Sequence, residues 1–145
     1  MPSIGSLAFN NKRIVYTNPG NKYRNTIVFH DPDTGESFAS MKLNSNRKGE
    51  TLILHMGTTY MPYRRKGIGG YLRAHIIKAA KEAGFKFVAQ NSVNLEGTGG
   101  KPTSAYIMEK LGGVRNSNEN YHYTFNLSGN LPKGVHNTVR KNPRV

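Results

Sequence analysis

The sequence contains no cysteine, and this single absence removes several kinds of chemistry at once. Disulfide bridges, thiolate metal sites and cysteine nucleophiles are all excluded. A zinc site would have to rely on histidine, yet the five histidines are scattered along the chain without the paired spacing of metal ligands. We therefore expect a protein without a metal site.

Long apolar runs are also missing. No stretch approaches the roughly 20 apolar residues that a membrane-spanning helix requires. The start of the chain, Met1-Pro2-Ser3, does not open a charged region followed by an apolar run, as a signal peptide would. At 145 residues the chain fits one domain, and its 36% hydrophobic residues predict a modest core. We predict a soluble, cytoplasmic protein that does not contact a membrane.

Acidic residues are few, since 8 carboxylates oppose 21 lysines and arginines and leave a net charge of +13. Such a charge is typical of a merely well-solvated surface, or of a protein that binds a polyanionic ligand, a nucleic acid or an acidic partner. Charge alone does not choose between these classes. It does argue against a strongly cationic substrate, because few carboxylates are present to attract one.

The first 56 residues predict an antiparallel β-meander. Four runs rich in β-branched and aromatic residues are separated by turns that contain Asn, Asp, Pro and Gly. The predicted strands cover residues 12–16, 25–30, 37–43 and 51–56. The turn at residues 31–35 has proline and glycine where a tight reversal needs them, which predicts a hairpin.

The hydrophobic period changes after residue 67, where apolar residues recur every three or four positions. This spacing predicts a helix that starts at Ile68 and ends before Gly84. Residues 85–89 predict a short strand. Strand, helix and strand together indicate one βαβ crossover with parallel pairing.

Two more elements complete the predicted fold class. Thr103 is suited to cap a second helix that ends at Leu111, and residues 121–127 alternate as a final strand. We predict an α+β fold in which a mixed central sheet combines an antiparallel N-terminal meander, one βαβ crossover, two main helices and a C-terminal strand. Residues 1–127 form this single domain, and the polar, basic residues 128–145 form a flexible tail.

The segment between the fourth strand and the first helix has the chemistry of a phosphate-binding loop. Its sequence is Arg64-Arg65-Lys66-Gly67-Ile68-Gly69-Gly70. The glycines let a polyphosphate approach the backbone, and the amides of the first helical turn, with that of Tyr71, lack intrahelical partners. The helix dipole and the preceding cations also favour an anion. An ordinary turn beside a basic patch is the alternative, but the strand-to-helix context favours phosphate binding.

Two familiar phosphate motifs do not fit this chain. A dinucleotide fingerprint requires a third glycine at the position of Leu72. Gly100-Lys101 looks like the end of a Walker A loop, but that motif requires glycine at Leu95 and serine or threonine at Pro102. Both classes are therefore excluded.

The loop resembles the signature of the GCN5-related N-acetyltransferase (GNAT) superfamily, Gln/Arg-x-x-Gly-x-Gly/Ala, and matches it with Arg64, Gly67 and Gly69. A second segment, Glu109-Lys110-Leu111-Gly112, is similar to the end of the family helix that flanks the acetyl-CoA thiol. The resemblance covers residues 51–114 and implies a compact, divergent GNAT protein. It implies acetyl-CoA as the cofactor and an amine as the acceptor of the acetyl group.

In such proteins the pyrophosphate lies on the amides of the loop, and the end of the preceding strand pairs with the pantetheine arm. The neutral amine attacks the thioester directly. The cofactor-binding residues that the resemblance implies are Thr59, Tyr60, Met61, Arg64, Arg65, Lys66, Gly67, Ile68, Gly69 and Gly70.

The sequence departs from the family where the acid should be. The tyrosine that protonates the leaving thiolate aligns with Met108, and a thioether cannot donate a proton. Tyr106 lies two residues earlier, about 200° around the helix, so it points nearly the opposite way. The two helices that follow the first strand in the family are not visible either. These departures motivate a second hypothesis, ranked after the enzyme: a catalytically degenerate GNAT fold that serves as a binding or assembly module.

Three residues are candidates for acid–base catalysis, and each also has a plain structural explanation. His55, before the loop, is suited to accept a proton near neutral pH, and Glu96 follows the second parallel strand. Tyr106 is a candidate acid. A third hypothesis, a nucleic-acid-binding protein, rests on the net charge and the basic tail. The acceptor amine and the oligomeric state cannot be read from the sequence.

Overall fold

The computed structural model describes residues 2–18, 23–46, 48, 50–92, 100–116 and 120–143. Within them, seven strands form one sheet: β1 (Ile14–Tyr16), β2 (Arg24–His30), β3 (Ser37–Ser45), β4 (Thr51–Thr59), β5 (Phe87–Ser92), β6 (Val114–Arg115) and β7 (Tyr121–Asn126). The same residues contain three helices: α1 (Ile68–Ala83), α2 (Thr103–Leu111) and α3 (Lys133–Arg140). Short 3-10 turns cover Ile4–Ser6 and Met61–Tyr63.

The sheet is mixed, and its strand order is β1-β2-β3-β4-β5-β7-β6. Strands β1 to β4 form an antiparallel meander, as the alternating sequence predicts. β4 and β5 run parallel, from Thr51 beside Phe87 to Leu54 beside Gln90, and α1 is their crossover. β7 then pairs antiparallel with β5. The predicted α+β fold with one βαβ crossover is confirmed.

The helices of the described residues pack together on one face of the sheet, and the core fills the space between the two layers. Core-facing residues of adjacent strands lie beside one another, Ile27 beside Met41 and Val88 between Leu52 and Phe125, and all five are at most 2% exposed. Burying each large apolar side chain contributes about 1.5–3 kcal/mol. Only residues 17–23 connect β1 to β2, a length too short for the two helices that the GNAT family places there. None of the described helices is long and apolar enough to cross a membrane.

Helix α1 follows the apolar stripe predicted for it. Ile68, Leu72 and Ile76 are at most 2% exposed, and their spacing of four residues puts them on one face. The helix ends at Gly84, whose φ of 96° is left-handed and whose N–H bonds to the carbonyls of Ala80 and Lys81. Both predicted ends of α1 agree with the structure.

Several predicted boundaries are wrong; among them, the strand predicted at residues 12–16 begins at Ile14, and the strand predicted at residues 51–56 extends to Thr59. Thr103 is the first residue of α2 rather than its cap, because Pro102 occupies the cap position and no side chain caps this helix end. The strand predicted at residues 85–89 is β5, Phe87–Ser92. Phe85 is 3% exposed, but its N–H bonds to the Ala80 carbonyl at 3.0 Å, so it completes the cap that follows α1 and does not begin the strand.

The C-terminal segment differs from the expected extended tail. Lys133–Arg140 is helical, and Leu131 and Val135 are 8% and 0% exposed in the common core. Val135 and Val139, four residues apart, are the apolar positions of this helix. Two such residues make a stripe too short to stand out from a polar sequence, which is why periodicity missed α3.

The docking of α3 can be tested at Gly134. A methyl group added there would lie 2.2 Å from the Lys110 carbonyl oxygen at the end of α2. Alanine favours a free helix over glycine by about 1 kcal/mol, whereas overpacking costs about 1–3 kcal/mol. We expect Gly134→Ala to lower the free energy of unfolding by about 2 kcal/mol, measured by urea denaturation.

Asn137→Ala is the matched control, because Asn137 is exposed on the same helix. It should change the free energy of unfolding by less than about 0.5 kcal/mol. A Gly134→Ala protein as stable as the wild type, or more stable, would show that α3 does not pack against α2.

Candidate functional site

β4 and β5 separate after their last residue pair, and the candidate site is the cleft that this separation opens. The parallel register ends where Leu54 lies beside Gln90. β4 continues to Thr59 and stays alongside β3. Among the described residues, no strand pairs with the β5-facing edge of residues 55–59. Such an edge offers backbone donors and acceptors to an extended ligand, which can bind as an added strand.

His55 occupies a β-bulge at the apex of this cleft. The partners of two adjacent β3 residues are Met56 and Leu54, which leaves His55 as the extra residue of β4. His55 is exposed and lines a surface pocket with Lys42. It is also the first β4 residue past the last parallel pair. The backbone of His55 therefore lies where the β4–β5 pairing ends, whereas the other residues that line its pocket belong to β2 and β3.

A tight turn carries the chain from the cleft to α1. Nε of Arg64 donates a hydrogen bond to the Thr59 carbonyl at 3.0 Å, which folds the turn back onto the end of β4. Arg65 and Gly67 have left-handed φ angles of 64° and 78°. Glycine adopts this conformation freely, whereas arginine adopts it at a cost. Such strain is common in ligand-binding turns.

The first turn of α1 presents free backbone amides. The Tyr71 N–H bonds to the Gly67 carbonyl at 3.0 Å, so the expectation that Tyr71 offers a free amide is wrong. The amides of Ile68, Gly69 and Gly70 precede that bond and have no acceptor within the helix. Three exposed cations stand immediately before this turn. Hydrogen-bond donors, the helix dipole and positive charge therefore coincide.

Helix α2 lies against the start of α1 and presents an apolar side chain there. A methyl group at Gly69 or Gly70 would lie 3.4 or 3.6 Å from the Ile107 side chain. Met108 is fully buried in the core, whereas Tyr106 is 58% exposed. The two side chains thus point in different directions, as the helical spacing predicts.

Tyr106 is separate from the other catalytic candidates. The Lys101 ammonium lies 4.2 Å from the centre of its ring. Within the described part of the chain, no hydrogen bond or ring contact joins Tyr106 to His55 or to residues 64–70. Glu96, the remaining candidate, lies outside the described residues.

Glu109 joins α2 to the last strand of the fold. Lys101 Nζ lies 2.5 Å from one carboxylate oxygen, and the Tyr123 hydroxyl donates to the other. Two hydrogen bonds lower the pKa of the Glu109 carboxyl: the one from Lys101 has the larger effect and the one from Tyr123 the smaller. The pKa of Tyr123 is raised to about 12, mainly because the phenol is buried and also because it donates a hydrogen bond to Glu109. Tyr123 is therefore a neutral phenol at physiological pH and serves structure.

A buried polar chain beneath the cleft was not predicted from the sequence. Arg73 is 6% exposed, and its Nε donates to Oε1 of Gln90 at 2.8 Å. Its Nη1 donates to the Gly69 carbonyl at 3.1 Å, one helical turn earlier. Nε2 of Gln90 in turn donates to Oγ of Ser92 at 2.8 Å. One feature of the sequence could have indicated this chain: Gln90 is polar, although it lies on the same face of its strand as the apolar Val88.

The architecture matches solved structures of acetyltransferases. The spermidine/spermine N-acetyltransferase SpeG from Vibrio cholerae superposes with a TM-score of 0.60 at 13% identity, over 75% of this chain and 70% of that one. The IAA acetyltransferase from Bacillus cereus gives 0.53 at 20% identity, over 66% and 58%. A chain of the KacTA–DNA complex gives 0.57 at 16% identity, over 81% and 73%.

The chain therefore has the GNAT fold. No protein-family model matches the sequence, and no curated protein sequence does either. At identities of 13 to 20%, the likeness to the solved structures shows the fold alone.

The two shielded tyrosines predict how stability changes at high pH. Burial raises the pKa of Tyr16 from 10.0 to about 12, and Tyr123 shifts equally far. The folded state favours the neutral phenols. Their contribution to the free energy of unfolding is therefore complete below pH 10 and is lost as the pH rises through 12. In an ultraviolet titration of the native protein, part of the tyrosinate absorbance should appear only near pH 12. Tyr123→Phe should remove about half of this late fraction. An unchanged late fraction in that variant would contradict the burial of Tyr123.

Proposed function

We propose that the protein is an acetyl-CoA-dependent N-acetyltransferase. The observation that supports this proposal is one continuous surface, which runs from the open edge of β4 through the cationic turn to the free amides of α1. An extended arm that ends in a pyrophosphate suits such a surface, because the arm can pair with the strand edge and the phosphates can reach the amides. Coenzyme A has this shape and charge.

The turn provides room as well as charge for the pyrophosphate. A methyl group added at Gly67 would meet no atom within 4 Å, so the space beside the turn is open. Arg65 and Lys66 beside it are exposed and can move toward phosphate oxygens, while Arg64 is held to the end of β4 through its Nε. In this proposal the ligand contacts Thr59, Tyr60, Met61, Arg64, Arg65, Lys66, Gly67, Ile68, Gly69 and Gly70.

The protein would contribute to the reaction mainly by holding acetyl-CoA and the acceptor amine in position. Acetyl-CoA supplies an acyl group that the thioester already activates. The strand edge would hold the pantetheine arm, so that the acyl group reaches the apex of the cleft. His55, exposed at that apex, would accept the proton that the attacking amine loses.

The acceptor is expected to be an amine without a large positive charge. SpeG is named for spermidine and spermine, which are polycations. The net charge of +13 on this chain would repel such substrates, and only 8 carboxylates oppose it. A neutral or acidic amine therefore fits this protein better.

Met108 supports a second candidate function, a GNAT fold that binds coenzyme A or a partner without transfer. Its side chain is fully buried and cannot donate a proton to a leaving thiolate. In addition, exposed cations on and after α3, including Lys133, Arg140 and Lys141, suit an acidic partner or a nucleic acid. One structural neighbour is known from a complex with DNA.

Arg64→Met tests the cofactor surface most directly. The change removes a cation at the turn and its hydrogen bond to the end of β4. A hydrogen bond to a charged group contributes about 1.5–3 kcal/mol, so acetyl-CoA should bind at least about tenfold more weakly, measured by isothermal titration calorimetry. Lys133→Met, a change of an exposed cation on α3, should leave this affinity within about twofold.

The outcomes separate the hypotheses. If the wild type does not bind acetyl-CoA, or if both variants bind it equally well, the proposed cofactor surface is wrong. If acetyl-CoA binds but no amine in a broad panel releases free thiol, the binding-module function replaces the enzyme. Binding to nucleic acid that persists in Arg64→Met and disappears at high salt would indicate an additional, independent surface.

A further inference from the structure

Arg73 is a buried cation whose described partners are all neutral. Its guanidinium is 6% exposed and bonds to an amide oxygen of Gln90 and a backbone carbonyl of Gly69. The ion pairs within the described residues are Lys86 with Glu50 and Lys101 with Glu109, so no carboxylate there neutralises Arg73. Removing a lone charge from water is costly, and natural proteins seldom tolerate it without a purpose.

Arg73 stays charged despite its burial. Loss of water lowers the pKa of Arg73 to about 10, which is still far above neutral pH. Nε and Nη1 each make one hydrogen bond, and the other N–H donors of the guanidinium have no acceptor among the described residues. The site therefore combines a retained positive charge with unused donors, and it suits an anion or an oxygen that becomes negative.

The guanidinium lies at the apex of the cleft. Its Nη2 would be 3.0 Å from a methyl group added at Gly57, on the part of β4 that extends beyond the last β5 pair. Its Nη1 would be 3.1 Å from a methyl group added at Gly69, and its Nε holds Gln90, the last paired residue of β5. Glycine at positions 57 and 69 thus lets the guanidinium lie close to the backbone of β4 and of α1.

This position differs from that of the exposed cations. Arg64, Arg65 and Lys66 stand before the first turn of α1, where the pyrophosphate would bind. Arg73 lies one turn further along the helix and faces the sheet. A ligand whose phosphates contact the turn and whose arm follows β4 would bring its acyl end, not its phosphates, to Arg73.

We propose that Arg73 stabilises the negative charge that develops on the coenzyme A sulfur as the acyl group leaves. This role rests on the proposed acetyl-CoA-dependent function and deepens it. It also explains how a chain with Met108 where the family has its acid can release the thiol, because a fixed charge can replace a proton donor at a leaving group.

The electrons and protons of the step balance without an acid. The lone pair of the neutral amine forms the new C–N bond, the C–S bond breaks, and its electron pair goes to sulfur. The proton lost by the amine goes to His55 or to water, and the thiolate takes a proton from water after release. Arg73 keeps all its protons throughout. Gln90 and Ser92 are positioning residues, because they fix the orientation of the guanidinium.

The test is the pKa of the thiol of coenzyme A bound to the protein, followed by the ultraviolet absorbance of the thiolate as the pH is raised. Desulfo-coenzyme A, which has no sulfur, provides the blank. This measurement needs no knowledge of the acceptor amine. We expect the wild type to lower the pKa of the bound thiol by about one unit or more relative to free coenzyme A, as an adjacent cation does.

Variants assign the effect to Arg73. Arg73→Lys should keep most of the lowered thiol pKa, whereas Arg73→Met should return it to the free value or above. Arg140→Met, an exposed arginine on α3, should bind coenzyme A with the wild-type thiol pKa. Gln90→Leu, which frees the guanidinium from its partner, should give an intermediate value.

The possible failures are distinct. A wild-type complex in which the bound thiol has the pKa of free coenzyme A overturns the role of Arg73, even if Arg73→Met does not fold. Equal thiol pKa values in the wild type and Arg73→Met overturn it as well, while the proposed cofactor surface survives. Failure of the wild type to bind coenzyme A at all overturns both proposals.

Discussion

The end of the β4–β5 pairing at Leu54 and Gln90 is the constraint on which the rest of the site depends. Before this pair, the two strands form a continuous parallel sheet and contribute core residues. After it, β4 keeps its hydrogen bonds to β3, and no strand of the described residues pairs with its other edge. An open edge inside a sheet is normally a liability, because its backbone groups seek partners. Here it continues directly into the cationic turn and the free amides of α1.

Arg73 belongs to the same constraint. Its long, charged side chain lies beneath the end of the β4–β5 pairing and carries hydrogen bonds from α1 to β5. Gly57 and Gly69 complete the arrangement, since a side chain at either position would press on the guanidinium. Arg73 and its hydrogen-bond partner Gln90 therefore connect α1 to the sheet, and Arg73 is also a candidate for stabilising the leaving thiolate.

Local patterns in the sequence were enough to predict much of this fold. Alternation predicted the meander, and the three-to-four spacing with Gly84 gave both ends of α1. Helical geometry also separated Tyr106 from Met108, which the structure places in solvent and in the core. Other features depend on contacts distant in sequence. Helix α3 is held by packing against α1 and α2 rather than by its own short stripe, and the separation of β4 from β5 has no local signal.

Amide hydrogen exchange with and without saturating acetyl-CoA tests the central claim most directly, because the claim concerns particular backbone N–H groups. The account predicts slower exchange at those residues of 55–59 whose N–H groups face away from β3, and at Ile68, Gly69 and Gly70, with little change in α3. Protection confined to α3, or no change anywhere under saturating acetyl-CoA, would contradict it.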